Sequence, residues 1–166
     1  MTKVYNLSQI STALEDIDAV TCIEEGFIAY SRDEVVVPPV GEMLFEDPRG
    51  EAHIKYGFIK DNDYFVVKIA SGFYENFKFG LPTNSGLMLL FSQKTGELLA
   101  VLLDEGQLTA VRTAAAGAVV AKYMAPTTVH RIGIIGAGDQ ARRQLLMLDS
   151  VITCRDVTVW GVNQDE

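Results

Sequence analysis

The stretch "GIIGAGDQA", residues 133–141, carries the most specific chemistry in the chain. Gly136, Gly138 and Ala141 stand in the spacing G-x-G-x-x-G/A, after an apolar run and at the start of a helical pattern. The first glycine permits a tight turn, and the second lets the backbone approach a pyrophosphate. The alanine lets the helix pack close to its strand, and the helix N-terminus faces the phosphate charge. These residues predict a dinucleotide site. The stretch that would read the adenosine ribose is Gly161-Val162-Asn163, neither acidic nor basic, so NAD and NADP both remain open.

Four further places hold polar groups that stand out from their surroundings. Lys68 interrupts the apolar run "FVVKIAS", and a buried ammonium needs an anionic partner or a route to water. Lys55, in "HIKYG", alternates with Ile54 and Tyr56 and faces either the same side as Lys68 or solvent. Arg112 lies near the start of "TAVRTAAAGAVVAKYMA", the electropositive end of a helix, so an anion is expected beside it: a carboxylate of the protein or an incoming ligand. Thr109 and Thr113 add hydroxyls one turn apart. Ala114, Ala115, Gly117, Ala118 and Ala121 leave room for another backbone or a flat ligand. In "GLPTNSG", residues 80–86, Thr83, Asn84 and Ser85 cluster short hydrogen-bonding groups after a proline.

The elements that must position these groups follow from periodicity. Residues 5–35 begin with a short strand and turn helical, with Ser8 as N-cap and Ile17, Val20, Ile23, Phe27 and Tyr30 on one face. From Val35 to Asp104 the period changes to two. "EVVVP", "EMLFE", "EAHIKYGFI", "YFVVKIASGF", "GLMLLFS" and "ELLAVLLD" read as strands separated by polar turns. Successive strands without helices between them predict a largely antiparallel or mixed sheet. A long helix ends near Ala125-Pro126, and the chain then reads strand, glycine turn, amphipathic helix, strand. The predicted fold class is α/β: a mixed-sheet domain over residues 1–128, followed over 129–166 by the first β-α-β unit of a Rossmann domain. A doubly wound domain needs roughly 100 residues or more, so the chain reads as the front part of a longer protein.

Composition narrows the classes. A chain 48% hydrophobic and 22% charged is globular, and a net charge of −8 with no basic run argues against nucleic acid. No apolar run approaches the ~18 residues of a membrane span, and the N-terminus lacks a signal-peptide core, which points to the cytoplasm. Cys22 and Cys154 fit no metal spacing and read as small buried residues. His53 and His130 lack nearby Cys or His partners, so no metal site is expected.

Residues 66–126 together with "IGIIGAGDQARRQ" resemble the ornithine cyclodeaminase/mu-crystallin family, most specifically through L-T-x-x-R-T-A-A at 108–115 and G-x-G-x-Q-A at 136–141. The resemblance implies that the first domain binds substrate and forms a homodimer, that a Rossmann domain follows, and that the active site lies between the two. It implies NAD or NADP as cofactor and an amino acid or cyclic imine as substrate, with hydride transfer at the α-carbon by way of an imine. A non-catalytic binder of cofactor and a small carboxylate, as in mu-crystallin, is the alternative. A truncated product serving only dimerisation is the third reading. Lys68 matches the family's substrate-binding lysine, and Arg112 an arginine that meets substrate carboxylate or cofactor phosphate. Thr83, Asn84 and Ser85 match the loop touching the cofactor, next to Thr113. Asp139 and Gln140 match the residues of the phosphate turn. Where the family usually has an arginine after "PPV", this chain has Gly41, and Lys55 is expected to take over the charge. "HIKYGFI" and "LLDEGQLT" look like a subgroup that includes ectoine-utilisation-type members, which points away from ornithine itself. The family's catalytic aspartate lies in a second half beyond residue 166, so residues 1–166 alone are expected to show no turnover.

Overall fold

The computed structural model describes residues 1–161. Strand β1 (Lys3–Tyr5) leads into helices α1 (Leu7–Glu15) and α2 (Ala19–Ser31). Strands β2 (Val35–Val36), β3 (Gly41–Glu46), β4 (Arg49–Ile59) and β5 (Tyr64–Phe73) follow. A single 3-10 turn (Asn76–Phe79) precedes β6 (Asn84–Ser92) and β7 (Leu98–Leu102). Helix α3 (Gln107–Met124), β8 (Ile132–Ile135), α4 (Asp139–Leu148) and β9 (Val157–Trp160) complete the order. Contacts divide the chain into two compact units, Met1–Ile17 with Phe27–Leu108, and Asp18–Gly26 with the residues from Thr109 onward. This division falls ahead of the boundary expected at 128/129, because α3 packs within the second unit.

The first unit is built on a seven-stranded mixed sheet in the order β1-β7-β6-β5-β4-β2, with β3 also paired to β4. All pairings are antiparallel except β1 with β7. Strict alternation makes one face of β3, β4 and β5 apolar: Met43, Phe45, Ile54, Tyr56, Phe58, Phe65, Val67 and Ile69 share it. Phe65 stacks on Phe91 with ring centroids 4.7 Å apart.

The single opening helix expected within residues 5–35 is two helices. Asn6, not Ser8, is the N-cap of α1: its Oδ1 accepts the Gln9 amide at 3.0 Å while Gln9 Oε1 accepts the Asn6 amide at 3.0 Å. The chain then breaks and restarts at Asp18, whose carboxylate accepts the Thr21 amide at 3.1 Å and the Thr21 hydroxyl at 2.7 Å. Those two bonds hold the Asp18 carboxyl below its ordinary value. Of the expected apolar face, Val20 is buried and Ile23 packs beside it, whereas Ile17, Phe27 and Tyr30 remain exposed.

The second unit has its core between α2 and α3. Val20, Ala115, Ala118 and Val119 form the buried cluster, with Ala19, Ile23, Met147 and Val151 against it. Ala114, Ala115 and Ala118 are fully buried, so this alanine stripe serves close helix packing. A β-carbon at Gly117 would lie 2.9 Å from Gln144 Oε1, so α4 also approaches here. Glu24 ties α2 to α3 by accepting from Lys122 Nζ at 2.6 Å and from the Tyr123 hydroxyl. The Lys122 bond first, and the Tyr123 bond next, hold the Glu24 carboxyl below its ordinary value. Strands β8 and β9 pair in parallel, Ile132 with Val157 through Ile135 with Trp160. Cys22 is exposed and Cys154 half-buried, so neither is the buried residue expected. Among the described residues, no helix is long and apolar enough to cross a membrane.

Candidate functional site

In the first unit, register sets Lys55 of β4 directly opposite Lys68 of β5, and Lys68 opposite Met88 of β6. Both lysines therefore stand on one face, the one opposite the apolar surface. Lys68 is half-buried and Lys55 exposed. Like charges directly opposite one another on a sheet are unfavourable unless an anion is shared or close by. The neighbouring row on this face is His53, Ala70 and Gly86, and the row beyond it is Glu51, Gly72 and Asn84. His53 sits between carboxylates, with Nδ1 3.7 Å from Glu42 and Nε2 3.6 Å from Glu51. The Tyr74 hydroxyl donates to Glu51, which raises the Tyr74 pKa.

Thr83, Asn84 and Ser85 do not form one loop cluster. Thr83 precedes β6 and uses its carbonyl to accept the Phe73 amide at 2.9 Å. Asn84 and Ser85 are strand residues paired with Gly72 and Ser71, so their side chains leave opposite faces of the sheet. Only Asn84 shares the lysine face.

The segment ending in Asp104 fixes where α3 begins. Asp104 is 1% exposed; its Oδ2 accepts the Leu108 amide at 2.8 Å and its carbonyl accepts the Gln107 amide at 2.8 Å. The sequence reading missed this cap, although an aspartate just ahead of a helical run is the ordinary signal for one. Helix α3 thus starts two residues before Thr109, and Arg112 belongs to its second turn. The unfavourable dipole field expected at Arg112 is correspondingly weaker. Arg112 is exposed, and among the described residues no carboxylate forms an ion pair with it. The Thr113 hydroxyl donates back to the Thr109 carbonyl at 2.7 Å.

The glycine turn of the second unit has the geometry its sequence predicts. Gly136 has φ +110°, a conformation that favours glycine, and its amide donates to the Trp160 carbonyl at 2.7 Å. Gly138 is the N-cap of α4, with φ −76° and no side chain capping the helix amides. An uncapped helix N-terminus behind a glycine turn fits a pyrophosphate, and a β-carbon at either glycine would stand in open space. Asp139 is paired with Arg143, Oδ2 to Nε 2.7 Å. Gln140 turns its amide toward α3: Nε2 donates to the Ala110 carbonyl at 3.2 Å, while its buried Oε1 has no partner. Gln140 therefore ties the start of α3 to the start of α4. Of the ribose-reading stretch, Gly161 is described, whereas Val162 and Asn163 lie outside the described residues. No group of three or more His, Cys, Asp or Glu that could hold a metal occurs among the described residues.

Residues 2–166 match the model of the ornithine cyclodeaminase/mu-crystallin family. The chain is 43% identical over 150 residues to an uncharacterised cyclodeaminase, y4tK, of Sinorhizobium fredii, covering 90% of this chain and 45% of that protein. It is 31% identical over 163 residues to alanine dehydrogenase of Archaeoglobus fulgidus, covering 98% and 49%. Among solved structures it is similar to the Thermococcus litoralis Δ1-pyrroline-2-carboxylate reductase in complex with NADH and L-proline, with a TM-score of 0.88 and 31% identity over 99% of this chain and 50% of that one. The chain spans about half the length of the curated relatives it matches. With a lysine-bearing mixed sheet, a G-x-G-x-Q-A turn of the expected geometry and a family match over nearly its full length, the chain belongs to the ornithine cyclodeaminase/mu-crystallin family.

Proposed function

We propose that the full-length protein is a nicotinamide-dependent enzyme acting at the α-carbon of an amino acid or cyclic imino acid. The observation that carries this reading is the occurrence, in one chain, of an uncapped glycine turn and a central-strand lysine with a second lysine directly opposite. The relatives named as alanine dehydrogenase and pyrroline-2-carboxylate reductase, and the NADH in a solved neighbour, support it.

The residues divide into two sets. Gly136, Gly138 and the first amides of α4 hold the pyrophosphate of NAD or NADP, with Asp139, Gln140, Arg112 and Thr113 around them. Of Thr83, Asn84 and Ser85, Asn84 stands on the lysine face and supplies a further polar contact there. Lys68 and Lys55 bind the substrate carboxylate, and Lys68 is also the residue in this chain that stands beside the reacting nitrogen. The nicotinamide, when bound, supplies or accepts the hydride. In this reading residues 1–128 bind substrate and dimerise, and 129–166 begin the nucleotide-binding domain. The homodimer uses the sheet's other face, where Met43, Phe45, Tyr56 and Phe58 remain partly exposed. A cytoplasmic setting fits the two free cysteines.

The test is steady-state oxidation of NADH and NADPH by the full-length gene product with a panel of 2-imino acids. The imines are formed from 2-oxo acids with ammonia or added as cyclic imines. Turnover with at least one imine is expected. Tight nucleotide binding without turnover on any of them would favour the non-catalytic ligand-binding alternative instead.

A further inference from the structure

We propose that the Gln140 side chain is a positioning residue: it joins the first turn of α3 to the phosphate turn, so that a pyrophosphate seated on α4 tightens α3 as well. This rests on the reading above that the glycine turn and the first amides of α4 hold a dinucleotide. Three observations point to it. The first is where the two ends of Gln140 lie. Its main-chain amide is the second of α4, among those that no intrahelical carbonyl takes. Its side chain leaves the motif, and Nε2 donates to the Ala110 carbonyl at 3.2 Å. One residue therefore belongs to the phosphate turn through its backbone and to α3 through its side chain.

The second is that this bond is a poor way to stabilise the fold. The buried Oε1 of Gln140 has no partner. Turning the amide over would set Oε1 against the Ala110 carbonyl, acceptor against acceptor, so a flip does not cure the deficit. The Ala110 carbonyl does not depend on Gln140, since within α3 it takes the Ala114 amide. An unpaired buried acceptor costs at least as much as a single neutral hydrogen bond returns. An apolar side chain of the same length would serve packing better.

The third is the change of polarity along α4. Gln140 and Gln144 stand one turn apart and both reach α3: a β-carbon at Gly117 would lie 2.9 Å from Gln144 Oε1. Met147, a further turn on, packs against the cluster of Val20, Ala115, Ala118 and Val119. Apolar packing fixes the far end of the helix pair, and glutamine amides set the end at the glycine turn. At 3.2 Å the Gln140 bond is long for an N–H···O contact and can shorten when the turn closes on a phosphate. Such coupling is reciprocal: a bond that nucleotide strengthens also strengthens nucleotide binding.

The test is hydrogen–deuterium exchange of the full-length gene product with and without NADH, read by mass spectrometry, for the wild type and Gln140→Met. In the wild type NADH should slow exchange over residues 136–145 and also over 109–118. In Gln140→Met the protection of 136–145 should remain and that of 109–118 should be lost. NADH should bind the variant about 2- to 12-fold more weakly, the worth of one neutral hydrogen bond. The variant's melting temperature should equal or exceed the parent's, because the unpaired acceptor is gone. Protection of 109–118 that survives in Gln140→Met would overturn the proposal and leave nucleotide binding intact. So would its absence in the wild type with NADH bound, a comparison that needs no variant to fold. A lower melting temperature with unchanged NADH affinity would overturn it too, reducing Gln140 to a fold contact. No protection of 136–145 in the wild type would remove the nucleotide reading, and the proposal with it.

Discussion

Replacing Gly136 and Gly138 separately by alanine separates the fold of the glycine turn from its use. At Gly136 an added β-carbon meets nothing within 4 Å, so packing contributes no penalty. The backbone does: φ is +110°, and holding a non-glycine residue in such a region costs about 1–3 kcal/mol. The strain falls where the Gly136 amide bonds the Trp160 carbonyl and ties β8 to β9. For a chain of this size each kcal/mol lowers the melting temperature by about 2–4 °C, so Gly136→Ala should melt roughly 2–12 °C below the parent. Gly138 has φ −76°, which any residue adopts, and its β-carbon also meets nothing. The change to alanine at this N-cap costs at most about 1 kcal/mol. Its effect should appear when nucleotide binds, because the β-carbon occupies the space through which the backbone approaches a pyrophosphate. NADH fluorescence titration of full-length Gly138→Ala should show affinity weaker by about tenfold or more, the equivalent of 1.4 kcal/mol. Wild-type NADH affinity in Gly138→Ala, or an unchanged melting temperature in Gly136→Ala, would refute the reasoning.

Other predictions concern the remaining parts of the structure. Lys68→Ala in the full-length protein should lose turnover and keep NADH binding; equal activity would remove Lys68 from the site. Ala118→Leu inserts side-chain volume at a fully buried position against Val20 and should cost about 1–3 kcal/mol in urea unfolding, with no loss taken as refutation. The Glu24 carboxyl is held below its ordinary value of 4.5 by Lys122 and Tyr123, so its contribution is present above that pH and is lost as pH falls through the folded-state value. Urea midpoints of the 166-residue chain between pH 3 and 6 should therefore fall less steeply in Glu24→Gln than in the parent. The chain alone should also show no imine reduction with NADH or NADPH.

Local patterns made much of this architecture readable. Strand β5 spans Tyr64–Phe73, the run quoted from the sequence, because alternation and flanking turn residues bound it on both sides. The glycine turn was readable because only glycine satisfies its first position. Other features depend on partners distant in the chain. Parity could place Lys55 on the same side as Lys68, but only the β4–β5 register sets the two opposite each other. The break between α1 and α2 depends on Asp18 capping Thr21, which competes with an apolar periodicity that runs straight through it. The alanine stripe of α3 suits a flat ligand and a close helix equally well. The choice between them is made by Val20 and Met147, which belong to other elements. Gln140 sits in a phosphate-turn motif, yet its side chain is drawn to the Ala110 carbonyl thirty residues earlier, a contact no local pattern encodes.

The central claim is that the whole protein moves a hydride between a nicotinamide and the α-carbon of an amino acid. Mass spectrometry of the amino-acid product formed with deuterium at the nicotinamide C4 tests it most directly. The account predicts one deuteron at the α-carbon of the product, transferred from one face of the cofactor. Product formed without label from either C4-deuterated epimer, or no amino acid formed from any 2-imino acid supplied, would contradict it.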